Sequence, residues 1–281
     1  MTLRCWGTRG SIPSPGPATA DYGGNTPCLE LTVGPRRLIF DAGTGMRVLG
    51  QHLIGNEDSL ETTIFLTHFH WDHIQGFPFF APLYHPEARL RIVGPMQRNI
   101  DIKSLFAGQM GPIYFPVPFS AVAATMSFDH LNEGSLEMGD VTVSAIRVRH
   151  PSFTVGYRIE TGGRRVCFVP DDELVGGDHE TSEGWREKMV RFLHGSDLLL
   201  HDAMYTDEEY PARIGWGHST FRQAMTLAAE AEVRKLLFFH HAPERTDAEL
   251  ERIVTRSREI AAEEGYHFEI DGAREGFYFT V

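Results

Sequence analysis

The sequence predicts an α/β protein, and three features carry that expectation. Short β-branched and aromatic runs such as Thr63-Ile64-Phe65-Leu66 read as buried strands. Between such runs, apolar residues recur at helical spacing, as in Met46, Leu49, Leu53 and Ile54, or Leu250, Ile253, Val254 and Ile260. Side chains that can bind metal stand where the predicted strands end.

In order, Leu3 to Trp6 opens as a strand and runs into the glycine- and proline-rich loop Gly7 to Pro17. Cys28 to Val33 and Arg37 to Phe40 form a strand pair across Gly34-Pro35, followed by the helix carrying Met46. Thr63 to Leu66 is the next strand, and the apolar stretch Ile74 to Tyr84 is expected as a short helix. Arg89 to Val93 is a strand; residues 101–120 are irregular, read equally as an internal lid or as a wall over a substrate. Strands follow at Ala123 to Phe128 and Val141 to Val148. A hairpin of Val155 to Ile159 and Arg165 to Val169 then turns at Thr161-Gly162-Gly163. Trp185 to Leu193 is helical and Asp197 to Leu200 a strand. Gly217-His218-Ser219-Thr220 opens a helix with Ser219 or Thr220 as its cap. Leu236 to Phe239, the helix carrying Leu250, and the strand Phe277 to Val281 complete the chain. No linker or fixed repeat divides it, so one domain over 1–281 is expected.

Composition narrows the class. With 42% hydrophobic and 23% charged residues, the chain is ordinary for a globular protein. No apolar stretch approaches the roughly 20 residues that cross a bilayer, and the start lacks a signal-peptide core, which points to the cytoplasm. Three cysteines (Cys5, Cys28, Cys167), without a CxxC spacing, indicate neither a disulfide framework nor a thiolate metal site. The net charge of −12, with no basic block, disfavours a large nucleic acid as partner. A small anion remains open, because bound divalent metals would supply local positive charge.

The densest chemistry lies in Leu66-Thr67-His68-Phe69-His70-Trp71-Asp72-His73, where three histidines and an aspartate fall within six residues. Imidazole and carboxylate suit zinc and neighbouring divalent metals. One ion cannot easily take all four side chains from so short a loop, so two metals close together are indicated. Later strand ends carry His150, the pair Asp171-Asp172, and the pair His240-His241.

This HxHxDH pattern after an apolar strand resembles the signature of the metallo-β-lactamase-fold hydrolases. The resemblance implies a four-layer αββα sandwich with two divalent metals, zinc first and manganese as the alternative, at one edge between the sheets. It implies that His68, His70 and His150 hold one metal, that Asp72, His73 and His240 hold the other, and that Asp171 bridges them with a water or hydroxide. Asp172 and His241 stay open as alternatives to Asp171 and His240. Asp41, in Asp41-Ala42-Gly43, is similar to the family's supporting aspartate, which orients a metal-bound histidine.

The Gly7-to-Pro13 loop, the Tyr22-Gly23-Gly24-Asn25-Thr26 turn and Gly217-His218-Ser219-Thr220 look like the phosphodiesterase side of that superfamily. Asp202 and His218 resemble the carboxylate–histidine pair of its tRNA 3′-endonucleases, in which the histidine protonates the leaving oxygen. Asp72, Asp202 and His218 are thus the expected catalytic residues. Departures from those endonucleases are the acidic charge, Asp202 in place of the usual glutamate, and no Gly/Pro- and Lys-rich insertion that could grip tRNA. The expected substrate is therefore a small phosphodiester, a cyclic nucleotide or other cyclic phosphate. A tRNA 3′-processing activity, or lactone or thioester hydrolysis on the same cage, is the alternative. The chain is compatible with a homodimer.

Overall fold

Two seven-stranded mixed sheets carry the chain. This computed structural model describes residues 1–56, 60–179 and 181–281. The first sheet holds β1 (Thr2–Gly7), β2 (Cys28–Val33), β3 (Arg36–Phe40), β4 (Glu61–Phe65), β5 (Arg89–Gly94) and β6 (Thr125–His130). The second holds β7 (Gly134–Met138), β8 (Val141–Arg147), β9 (Val155–Thr161), β10 (Arg164–Val169), β11 (Leu198–Asp202), β12 (Lys235–Phe239) and β13 (Glu269–Gly272). β14 (Tyr278–Thr280) returns to pair with β1 in the first sheet. Each sheet mixes directions: β3 to β6 run parallel in one, β10 to β13 in the other.

Side-chain alternation along the strands builds the layers. Leu38 and Phe40 on β3 and Phe65 on β4 face the second sheet, where they meet Tyr157, Phe168, Leu200 and Phe239 in a shared core. Ile39 and Ile64 face outward, under α1 (Gly45–Gly55) and α3 (Ile102–Gln109). A single turn, α2 (Trp71–Ile74), sits at the sheet edge. On the second sheet, Cys167, Leu199, Leu236 and Phe238 face outward, beneath α4 (Trp185–Leu193), α5 (Phe221–Glu230) and α6 (Asp247–Glu263). The result is helices, sheet, sheet, helices. Among the described residues no helix is long and apolar enough to cross a membrane.

Departures from the sequence reading have local causes. The stretch from Ile74 to Tyr84 is not one helix: α2 ends at Ile74 and two 3-10 turns follow, Phe77–Phe79 and Ala81–Tyr84. Pro78 and Pro82 lack the N–H groups that a continuous helix needs. The segment 101–120 is less irregular than expected. It opens with α3, whose Asp101 caps the helix by accepting from the Ser104 backbone N–H at 2.8 Å. Beyond α3, Phe115 packs edge-on against Phe79, while Ile113 and Tyr114 face solvent. β7 and β13 were not anticipated, because edge strands as polar as Gly134–Met138 show no buried alternation.

Candidate metal centre

All the ligand-type residues stand at strand ends on one edge. β3 and β4 are parallel with Phe40 opposite Phe65, so Asp41 and the His68–His73 loop leave the first sheet together. In the second sheet, β10, β11 and β12 are parallel, delivering Asp171, Asp202 and His240 side by side. β8 is antiparallel to β9, and β9 to β10, so β8 ends at the same edge and brings His150.

The side chains then converge in two groups that share Asp171. His150 Nε2 lies 3.0 Å from His70 Nδ1, and the Asp171 Oδ2 atom lies 3.8 Å from His68 Nε2 and 3.7 Å from His150 Nε2. On the other side, His240 Nε2 is 3.3 Å from His73 Nε2 and 3.1 Å from Asp72 Oδ2. Asp171 turns its second oxygen, Oδ1, towards this group, 3.1 Å from His73 Nε2 and 3.5 Å from His240 Nε2. Asp172 points elsewhere: its Oδ1 accepts from the Arg149 backbone N–H. His241 also turns away, with Nε2 against the Ala273 carbonyl.

The hydrogen bonds fit divalent cations at this place. The outer nitrogens of three rings have acceptors: His73 Nδ1 meets Asp41 at 2.8 Å, His150 Nδ1 the Gly217 carbonyl at 2.9 Å, and His68 Nδ1 the Thr67 hydroxyl at 3.1 Å. In a neutral ring, donation there leaves the inner nitrogen with a lone pair, and the inner nitrogens face one another and the carboxylates. His68 Nε2 and Asp171 Oδ1 are buried without a hydrogen-bond partner. Burial keeps His68 well below the usual histidine range and pushes His150 down to about 3, so both rings are neutral. Burial opposes ionisation of Asp171, but its histidine neighbours, His240 and then His73, hold it well below the ordinary carboxylate range. His73 goes the other way: burial opposes its charge, but Asp171, Asp72 and Asp41 raise it well above the usual histidine range. Imidazoles among ionised carboxylates are the donor set that borderline divalent ions take.

Strain accompanies the arrangement. Asp41 and His240 have φ of 61° and 59°, in the left-handed region that residues other than glycine uncommonly adopt. Such backbone persists when surrounding bonds over-determine it. Asp41 is held by the Thr67 backbone N–H at 2.8 Å and by the Thr67 hydroxyl. Behind His240, a Cβ on Gly10 would lie 2.5 Å from His240 Nδ1, so only glycine lets that loop press against the ring.

Beside Asp171 sits a second device. His218 Nδ1 is 2.8 Å from Asp202 Oδ2 and 4.0 Å from Asp171 Oδ2, and its ring lies nearly parallel to that of His240. Burial works against charging His218, but Asp202, then Asp171, raise it to about 9, so it carries a proton at neutral pH. Thr220, two residues on, caps α5 in a reciprocal box with Gln223.

Other residues here escaped the sequence reading. The Ser11 backbone N–H donates to Asp72 Oδ2 at 2.7 Å, and only the glycine density around it marked that loop. Glu173 ties down the approach to His218. It accepts from Tyr210 Oη at 2.7 Å and from the backbone N–H groups of Gly215 and Gly217 at 2.8 and 2.9 Å. It also pairs with His179 at 2.6 Å, a histidine that matched no ligand position. His179, His70 and His150 line a cleft of about 810 Å³ that also reaches Gln97, Arg98 and Phe153.

A sequence model of the β-lactamase superfamily domain matches residues 36–241. The chain belongs to that superfamily. Superfamily relatives include a ribonuclease Z of Exiguobacterium sibiricum, 29% identical over 239 residues, which cover 72% of this chain and 78% of the relative. Among solved structures, the metallo-β-lactamase fold protein YhfI of Bacillus subtilis has a TM-score of 0.70 at 18% identity, covering 99% of this chain and 98% of that one. The short form of human tRNase Z has a TM-score of 0.69 at 19% identity, covering 100% and 99%. Relatives named as ribonucleases overturn the expectation that a large nucleic acid is an unsuitable partner. A net charge of −12 is a whole-chain sum. It says little about the field at one edge, where a metal pair would dominate.

Proposed function

We propose that this superfamily member is a binuclear-metal phosphodiesterase that cleaves RNA, in the manner that the ribonuclease Z relatives' name describes. The observation that carries the reading is the His218–Asp202 pair, 2.8 Å apart, with His218 Nδ1 set 4.0 Å from the carboxylate shared by both ligand groups. A lactone or thioester hydrolase would have no evident use for it. The acidic charge, Asp202 in place of glutamate and the missing Gly/Pro- and Lys-rich insertion pointed to a cyclic nucleotide, and the relatives favour the RNA reading instead.

In this proposal His68, His70 and His150 hold one ion, Asp72, His73 and His240 the other, and Asp171 spans both. Zinc suits the histidine-rich set best, with manganese second. When bound, the pair would supply an activated water and positive charge for the phosphoryl oxygens. The chain does the rest. Asp41 fixes the His73 ring through Nδ1, and Thr67 relays the same carboxylate to His68. Ser11 N–H occupies Asp72 Oδ2 and thereby fixes that carboxylate's orientation. His218 gives its proton to the leaving oxygen, and Asp202 orients the ring and keeps it charged.

Because both sheets supply ligands, we infer that residues 1–281 act as one domain. The three cysteines are free and buried, which fits a reducing cytoplasmic setting.

The deciding experiment is a turnover panel on protein of assayed metal content, with a precursor tRNA, cyclic nucleotides, bis(p-nitrophenyl) phosphate, a lactone and a thioester. RNA cleavage that collapses in His218→Ala supports the proposal. Cyclic-nucleotide turnover with inert RNA, or activity confined to the lactone or thioester, overturns it.

A further inference from the structure

Four tryptophans occur in the chain, and they divide sharply. Trp6 and Trp185 are buried, at 5% and 7% exposure, whereas Trp71 and Trp216 are 63% and 60% exposed. Both exposed indoles stand within two residues of site residues in the chain. Trp71 opens α2 between His70 and Asp72. Trp216 precedes Gly217, whose carbonyl accepts from His150 Nδ1 and whose φ is +90°. A Cβ on Gly217 would fall 2.3 Å from that same nitrogen, so the backbone beside Trp216 is pressed against the His150 ring. Trp71 thus comes from the first sheet's loop, between two ligand-type residues, and Trp216 from the loop before α5, two residues from His218.

A single exposed apolar side chain needs no explanation. Two exposed indoles beside site residues in the chain, with the other two tryptophans buried, do. Their setting specifies an occupant. The Arg213 guanidinium lies 5.8 Å from the Trp216 ring centroid. A cleft of about 810 Å³, lined by Gly215 of the same loop, runs from His70 and His150 to Arg98 and Arg147, and the Arg147 guanidinium carbon stands 4.2 Å over the Phe153 ring. Flat aromatic faces beside guanidinium groups are what a single strand meets, with bases on the rings and phosphates on the cations. A paired duplex hides its base faces and could not use them.

Resting on the RNA reading above, we propose that Trp71 and Trp216 are stacking platforms for the nucleobases on either side of the scissile phosphate, so that the enzyme takes single-stranded RNA. The indoles set substrate preference, and the proton and metal chemistry lies between them.

The test uses full-length protein, oligoadenylate, and an abasic oligonucleotide of equal length and charge. Oligoadenylate should quench the tryptophan emission, since only the two exposed indoles can reach it, and the abasic strand should not. Trp71→Ala and Trp216→Ala should each reduce the kcat/KM preference for oligoadenylate over the abasic strand about tenfold, the scale of one base–aromatic stack. Phenylalanine at either position should restore most of the preference. Equal quenching by both strands, or a preference that neither alanine variant moves, overturns the stacking proposal while leaving RNA cleavage intact. Wild type that cleaves precursor tRNA but neither strand also overturns the stacking proposal alone, whereas failure of the RNA reading looks different: none of the three RNAs is cleaved, whatever the fluorescence does.

Discussion

The two sheets build the same centre by opposite routes. The first sheet delivers His68, His70, Asp72 and His73 from one loop after β4, within a stretch the backbone alone keeps together. The second delivers His150, Asp171, Asp202 and His240 one residue per strand end, from parts of the chain that only the fold unites. The loop can survive as a local turn, whereas the dispersed set is as good as the register of its strands. The first sheet's side also carries its own support, through Asp41 and Thr67, while the second sheet's side borrows carbonyl and amide groups from neighbouring loops.

The sharpest break in this comparison is at Asp171, the one side chain that faces both groups. Asp171→Ala should abolish turnover and lower the metal bound per chain, measured by elemental analysis. Retention of two tightly held ions with full activity would sink its bridging assignment. Next in size is His218, the proposed proton donor. His218→Ala should slow cleavage of RNA by roughly 10²- to 10⁴-fold, the usual scale of general acid catalysis. The loss should be far smaller with nitrophenolate, which leaves without a proton. Asp202→Asn refines the point through pH. The Asp202 carboxylate is the main group raising His218 to about 9, so the wild-type donor stays protonated up to that pH and activity falls as pH rises through it. In the variant that alkaline limb should move to lower pH. A limb that does not move would assign it to another group.

What the sequence disclosed follows the same division. The HxHxDH cluster was legible because four ligand-type residues in six positions need no knowledge of topology. His150, Asp171 and His240 could be found only through the order the family resemblance supplied. Their partners Asp172 and His241 are chemically indistinguishable until strand geometry sends them to the Arg149 amide and the Ala273 carbonyl. Ser11 was invisible, because it acts through a backbone N–H that any residue except proline offers. Glu173 was equally silent: a carboxylate that accepts from Tyr210, Gly215 and Gly217 announces itself through distant partners, none of them in a motif. Net charge misled for a related reason, since a sum over the surface carries no information about one edge.

Support of the first sheet's ligands is tested more gently by Asp41→Asn. An amide can still meet His73 Nδ1 but offers it a neutral acceptor, and loss of such a partner typically lowers metal affinity about 10- to 100-fold. Competition with a chelator reads this directly. Unchanged affinity would mean that the contiguous loop holds its geometry without Asp41, and would sharpen the contrast between the sheets.

The smallest effect separates the two ways in which His218 can be positioned. Its side chain is tied to Asp202 on β11, and its backbone leads into the Thr220 cap of α5. Thr220→Ala removes the cap's acceptor for the Gln223 backbone N–H and should destabilise the protein by about 1 kcal/mol, visible as a lower Tm. If the strand holds the imidazole, kcat on RNA should hardly change at temperatures where the variant is folded. A fall in kcat with an unmoved alkaline limb would instead show that the helix start sets the donor's reach while Asp202 sets its charge. Strand register would then place the ligands, and a local cap the proton.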